Sequence, residues 1–127
     1  IISTKNPLAL SGAPGFRTWE QFEFNKPTII FDGNANEAVK LFPANVNVAA
    51  TVSLAGIGSE KTKVKVVADK NAPGNVHEIQ ANGSFGEFSF KLINRPHPKN
   101  IKTSHLAVMA AIESLKSIVN PSLRIGT

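Results

Sequence analysis

Histidine is the residue type in this sequence best suited to acid/base chemistry, and three are present. His77 lies in a run from Val76 to Ile79 that alternates apolar and polar residues, which predicts a strand holding the ring in a fixed direction. His97 lies between two prolines and His105 near a predicted helix start, so both are expected to be exposed to solvent. His77 is therefore the candidate acid/base residue. A half-buried histidine that only bonds a neighbouring carbonyl is the alternative.

A polar pair interrupts the predicted apolar helix over 43–57. Asn47 and Thr51 lie one turn apart, and Asn45 lies at the entrance to the notch that they form. An asparagine amide both donates and accepts hydrogen bonds, so this position can hold a ligand that bears a carboxamide. A helix cap or a hydrogen bond to a loop explains the same residues.

The segment 99–104 places two cations and two hydroxyls at a predicted helix start. Lys102, Thr103 and Ser104 are its last three residues. Backbone N–H groups and the helix dipole favour an anion at such a position, which predicts an anion site. A plain helix cap is the alternative.

Several kinds of site are excluded by residues and motifs that the sequence lacks. With no cysteine there is no disulfide, no thiolate zinc site and no cysteine nucleophile. No HExxH motif, HxH pair or carboxylate cluster is present, so no metal is expected. Neither a GxGxxG nor a GxxxxGK[ST] loop occurs, and no serine lies in a GxSxG elbow. The chain is therefore expected to have no dinucleotide-binding fold of its own.

The charge balance favours anionic partners. There are 14 basic and 9 acidic residues, a net charge of +5, which suits nucleic acid, phosphates, carboxylates or a dinucleotide. No apolar run approaches the roughly 20 residues that a membrane-spanning helix needs, and the N-terminus lacks the order of a signal peptide. The chain opens with Ile1 and its one methionine is Met109. We therefore expect a piece of a longer protein that is neither membrane-spanning nor exported.

Hydrophobic periodicity predicts the elements that would position these residues. Asn34 is a helix cap, the Asn-Gly link at 82–83 predicts a hairpin, and 94–100, with two prolines, predicts a loop. Strands are expected over 1–5, 28–32, 61–68, 75–82 and 85–93, and helices over 35–42, 43–57 and 105–119. This order predicts an α+β fold: a mixed, largely antiparallel sheet with helices packed on one face, and with the last three strands as neighbours.

Two of the predicted helices carry more apolar surface than one small sheet can cover. The helix over 43–57 has no charged residue, which predicts burial on all sides, and the helix over 105–119 has an apolar stripe. Part of this surface is expected to lie at a subunit or domain interface.

Several segments, taken in order, resemble the C-terminal domain of the L-aspartate dehydrogenase family. The resemblance covers about 1–120, and the block around 34–50 is its strongest part. The matching segments read FDG (31–33), EAVKLFP (37–43), NVNVAA (45–50), KVKVVAD (63–69), NVHEI (75–79) and NIKTS (100–104).

The resemblance implies a function and a place for this chain in a larger enzyme. The family oxidises L-aspartate to iminoaspartate with NAD or NADP, in many organisms as a step toward NAD biosynthesis. Its members have an N-terminal Rossmann domain followed by a catalytic and dimerising domain, and residues 1–127 resemble the second. The chain is then expected to be cytoplasmic and homodimeric, with its own Rossmann domain as a partner.

The resemblance also implies roles for the candidate residues. His77 matches the catalytic histidine and Asn47 matches a contact to the nicotinamide side of the cofactor. Lys102, Thr103 and Ser104 are then expected to bind a carboxylate of the substrate. Two other readings are a catalytically silent oligomerisation domain and a module that binds nucleic acid or another anion. Against the nucleic-acid reading, the phenylalanines around 85–90 lack basic and glycine-rich neighbours.

Overall fold

A mixed five-stranded sheet organises the first of the two compact units into which the chain divides, residues 1–93, while the second begins at Asn94. The computed structural model describes residues 1–98 and 100–119. The strands are β1 (Ile2–Lys5), β2 (Thr28–Asn34), β3 (Lys63–Ala68), β4 (Asn75–Gly83) and β5 (Gly86–Asn94). They confirm the five predicted strands to within two residues at either end.

The sheet order is β2-β3-β1-β4-β5. β1 runs parallel to β3 and antiparallel to β4, and β2 runs antiparallel to β3, which confirms the predicted mixed sheet. The expectation that β3, β4 and β5 are consecutive neighbours is wrong, because β1 lies between β3 and β4. The connection over 69–74 is long enough to cross one intervening strand at a spacing of about 4.8 Å.

Helices supply the layer that packs against the sheet. They are α1 (Pro7–Leu10), a 3-10 helix (Pro14–Trp19), α2 (Ala35–Leu41) and α3 (Asn47–Ala55). At the start of α2 the Asn34 side chain accepts from the Glu37 N–H at 2.9 Å, and the Glu37 carboxylate accepts from the Asn34 N–H at 3.1 Å. This capping box confirms Asn34 as the predicted cap.

The core of this unit lies between the helices and the strands. Alternate residues of β3, Val64 and Val66, face it and are fully buried. Leu10, Phe42 and Val46 close over them from the helical segments. The core is thus built from short elements that each contribute one or two large side chains.

The helix predicted over 43–57 is shorter and less buried than expected. Residues 43–45 form a turn, α3 runs from Asn47 to Ala55, and its buried residues are Ala49 and Ser53. Leu54 is 83% exposed. Within this chain the helix is therefore covered on one face only, because one sheet covers only one face of a helix that packs on it. Burial of its other faces at a subunit or domain interface stays a prediction.

The second unit holds a small hairpin and a helix. β6 (Pro96–His97) pairs antiparallel with β7 (Asn100–Ser104), and α4 spans His105–Val119. The helix bounds confirm the prediction, whereas the predicted loop over 94–100 contains β6. The prolines allow this because the strand is only two residues long and belongs to a two-stranded sheet. None of the described helices is both long and apolar enough to cross a membrane.

Candidate catalytic site

The strand β1 brings two polar side chains to the face of the sheet that packs on the helices. Ser3 and Lys5 pair in register with the buried residues Val66 and Ala68 of β3, so they share that face. On the other side of β1, Ser3 lies directly opposite His77 of β4. The sheet register therefore gathers a hydroxyl, an amine and an imidazole.

The ring of His77 is fixed by Ser3. The Ser3 hydroxyl and His77 Nδ1 are hydrogen bonded at 3.1 Å, with Ser3 fully buried and His77 5% exposed. When Nδ1 carries the proton it donates to the hydroxyl oxygen, which leaves the Nε2 lone pair free to accept a proton. The bond thus fixes the orientation of the ring, and it is compatible with the tautomer that a general base needs.

The other ring nitrogen of His77 is open. Among the described residues, Nε2 makes no hydrogen bond, and Asn94 Oδ1 is the one fully buried side-chain polar atom that has no partner. His77 Nε2 therefore keeps contact with solvent. A catalytic histidine needs such contact at its free ring nitrogen, whereas a purely structural histidine does not.

The surroundings keep His77 neutral. Burial, and then repulsion from the charge of Lys5, lower the pKa of His77 from 6.5 to about 4. At neutral pH the ring is unprotonated and so is in the form that accepts a proton.

Lys5 is the third member of the cluster. It is 6% exposed, and burial lowers the pKa of its ammonium group. Sequence reasoning missed both Ser3 and Lys5. The signal was present, since two polar residues alternate in a short strand of otherwise β-prone sequence, but period-2 spacing alone does not say which face is buried.

Asn47 lies one turn before Thr51 on α3, as in the predicted notch. It is the first residue of α3 and is exposed, as is Thr51, and among the described residues its amide has no hydrogen-bond partner. Asn45 instead donates to the carbonyl of Ala9 at 2.7 Å, which anchors the turn before α3. The alternative explanation of Asn47 as a side-chain cap is wrong, because Val46 occupies the cap position.

The predicted anion site belongs to the second unit. Lys102 and Thr103 lie in β7 and not at a helix start, and their side chains lie outside what the structure describes. Ser104 caps α4, since its hydroxyl accepts from the Ala107 N–H at 3.2 Å. The predicted grouping of all three at a helix N-terminus is therefore corrected to two strand residues and one cap. The strand forms because these residues pair with β6.

Other candidate groups add no site in the described part of the chain. No cluster of three or more histidine, cysteine, aspartate or glutamate residues that could hold a metal occurs there. His105 is exposed, and the side chain of His97 lies outside the description. Among the described residues, the cluster of Ser3, Lys5 and His77 is thus the candidate acid/base site.

Comparison with known proteins gives a consistent result. Residues 1–118 match the family described as "Aspartate dehydrogenase, C-terminal". The whole chain is 54% identical to an L-aspartate dehydrogenase of Methanosarcina acetivorans and 49% identical to one of Nitrosopumilus maritimus. It covers 47% of each of these relatives.

A solved structure agrees with the sequence comparison. The fold is similar to that of a crystal structure of aspartate dehydrogenase from Thermotoga maritima, with a TM-score of 0.71 and 30% identity. That similarity covers 98% of this chain and 45% of the other. The chain thus spans about half the length of the relatives that it matches.

Proposed function

This chain belongs to the aspartate dehydrogenase C-terminal family, a family of oxidoreductases, and we propose that it is the catalytic half of an NAD(P)-dependent L-aspartate dehydrogenase. The observation that carries the proposal is the hydrogen bond between Ser3 and His77 Nδ1, together with the open Nε2. A histidine that is buried, oriented on one side and accessible on the other is suited to proton transfer.

The proposed reaction needs a base at the substrate nitrogen. L-Aspartate binds as an ammonium ion, and the amine must lose a proton before the C2 hydride can leave and the C=N bond of iminoaspartate can form. His77 Nε2 takes that proton, with Ser3 holding the ring. The dinucleotide, when bound, accepts the hydride.

Two further groups are assigned on the same basis. Asn47 orients the nicotinamide carboxamide, and its exposed amide, without a partner in the described chain, supports this role. Lys102, Thr103 and Ser104 contribute to binding a substrate carboxylate. The charge of Lys102 favours an anion there, while the Ser104 hydroxyl already accepts one backbone N–H.

The described chain does not by itself account for the whole reaction. It carries no glycine-rich pyrophosphate loop, so we propose that a Rossmann domain supplies this contact, in a protein about twice this length. The proposal includes a homodimer, a cytoplasmic location and a role in NAD biosynthesis. Neither nucleic acid nor a membrane is a proposed partner.

The test is an assay of the full-length protein and of the 127-residue chain. The full-length protein is expected to reduce NAD or NADP when L-aspartate is added, whereas the chain alone is expected to be inactive. L-Alanine in place of L-aspartate is the control. A full-length, folded protein that reduces neither dinucleotide with L-aspartate would contradict the proposed function.

A further inference from the structure

Lys5 stands out from the other lysines by its position. It ends β1 on the helix-covered face of the sheet, next to Ala68 of β3, and only 6% of its surface is exposed. Lysine is almost never buried to this extent without a partner, because the ammonium group loses most of its hydration. The lost hydration of a buried ammonium group is therefore expected to be compensated by an anionic or hydrogen-bonding partner, either in the protein or in a ligand.

The described chain supplies no compensating group. Lys65, Lys91 and Lys116 each form an ion pair with a carboxylate. Lys5 has neither an ion pair nor a hydrogen bond with any described residue. Its nitrogen is not fully sealed from solvent either, since Asn94 Oδ1 is the one fully buried partnerless atom in the described chain. The ammonium group thus keeps some contact with solvent although the side chain is buried.

The cluster around Lys5 has the polarity of an anion site. The titratable group that it faces is His77, and the two repel each other when both are charged. Ser3, on the same face, contributes a hydroxyl that is already bonded to the ring. An anion that enters beside His77 therefore meets an unpaired cation and no described carboxylate.

We propose that the Lys5 ammonium group binds a carboxylate of the dicarboxylic substrate beside His77. This inference rests on the proposed function, since it assumes that His77 faces bound L-aspartate. It adds a substrate-binding residue on the same face of the sheet as His77.

A carboxylate bound to Lys5 would also raise the pKa of His77 from its lowered value. Repulsion from Lys5 is one cause of the low pKa of His77, and a carboxylate that pairs with Lys5 offsets it. The ring then accepts a proton more readily when the substrate is in place. Substrate binding and proton transfer are coupled through one lysine, without a change in the fold.

Lys5→Met in the full-length enzyme removes the charge and keeps most of the stem. We expect the KM for L-aspartate and the inhibition constant of succinate to rise by roughly 10- to 100-fold, as for loss of a hydrogen bond to a charged group. The dissociation constant of the dinucleotide should stay unchanged. Lys5→Arg should recover part of the affinity, and Lys61→Met, at an exposed lysine of the same unit, is the matched control.

A value of KM and of the succinate constant within twofold of wild type in folded Lys5→Met would overturn the proposal. If the variants do not fold, NMR of the wild-type enzyme with 13C-labelled lysine tests the proposal without a substitution. Lys5 is recognised there by its lowered pKa, and its signal should shift on titration with succinate. A signal that does not move at saturating succinate would also overturn it.

Two further outcomes would decide between the inference and the proposed function. If the full-length protein contains a carboxylate that pairs with Lys5 before succinate is added, the pKa of Lys5 will be raised and not lowered, and the inference is wrong. If the wild-type protein oxidises no L-aspartate but its Lys5 signal responds to succinate, the proposed function fails while carboxylate binding at Lys5 stands.

Discussion

Ser3, Lys5 and His77 form a group because two neighbouring strands present them on the same face. The hydroxyl fixes one ring nitrogen, burial and the charge of Lys5 lower the pKa of the ring, and the second nitrogen has no hydrogen bond with a described residue. Each of these features has a separate physical cause, namely hydrogen bonding, charge repulsion with burial, and position. Each can therefore be removed by a separate substitution.

Ser3→Ala removes the hydrogen bond that orients His77. We expect kcat to fall by roughly 10- to 100-fold with little change in KM, because the ring loses the bond that fixes its direction. Ser3→Thr should restore most of the rate, which a merely structural role would not predict. Thr4→Ala, on the opposite face of β1, is the control. Steady-state kinetics in which Ser3→Ala matches Thr4→Ala would contradict the positioning role.

The stability of the 127-residue chain should depend on the protonation of His77. The pKa of His77 is lowered from 6.5 to about 4, so between these values the unfolded chain binds more protons. The free energy of unfolding should thus be highest above pH 6.5 and fall by on the order of 2 kcal/mol toward pH 4. Urea denaturation at several pH values measures this.

His77→Gln removes the titrating group and should flatten the fall between pH 6.5 and pH 4. Gln80→Ala, at an exposed position of the same strand, is the control and should keep the slope of the wild type. Equal slopes in the wild type and in His77→Gln would show that other groups cause the pH dependence.

The elements follow the sequence closely where periodicity and caps are strong. The capping residues Asn34 and Ser104 and the alternation in β3 and β5 all predict what the structure has. Strand order was not predictable from these signals, because alternation defines a strand but not its neighbours. The position of β1 between β3 and β4 was therefore not predicted. For the same reason the pairing of Ser3 with His77 was not predicted either.

α4 is the helix that carries an exposed apolar stripe along its length. Leu106, Met109, Ile112 and Leu115 recur every three residues, yet each is at least 42% exposed. We expect this stripe to contribute to the homodimer interface in the full-length protein. Ile112→Asp should shift the mass measured by light scattering from dimer to monomer, whereas Ser114→Asp, a charge outside the stripe, should not. A dimer unaffected by Ile112→Asp would place the interface elsewhere.

At the scale of the whole molecule, the chain spans about half of its relatives. The sheet holds an oriented histidine, while no described or sequence feature provides a pyrophosphate loop. The proposed division of work with a Rossmann domain rests on these two observations and on the family resemblance of segments taken in order. Composition and net charge alone did not exclude a nucleic-acid-binding module or an oligomerisation domain, because neither quantity tells where a side chain lies in the fold.

The central claim is that His77 transfers a proton and is not only a packed strand residue. His77→Ala in the full-length enzyme tests it most directly, with Gln80→Ala, at an exposed position of the same strand, as the control. We expect kcat to fall by roughly 10²- to 10⁴-fold while dinucleotide affinity, measured by fluorescence, changes little. A near-normal kcat together with a lowered Tm would contradict the claim, because a residue that only packs costs stability and leaves the chemistry intact.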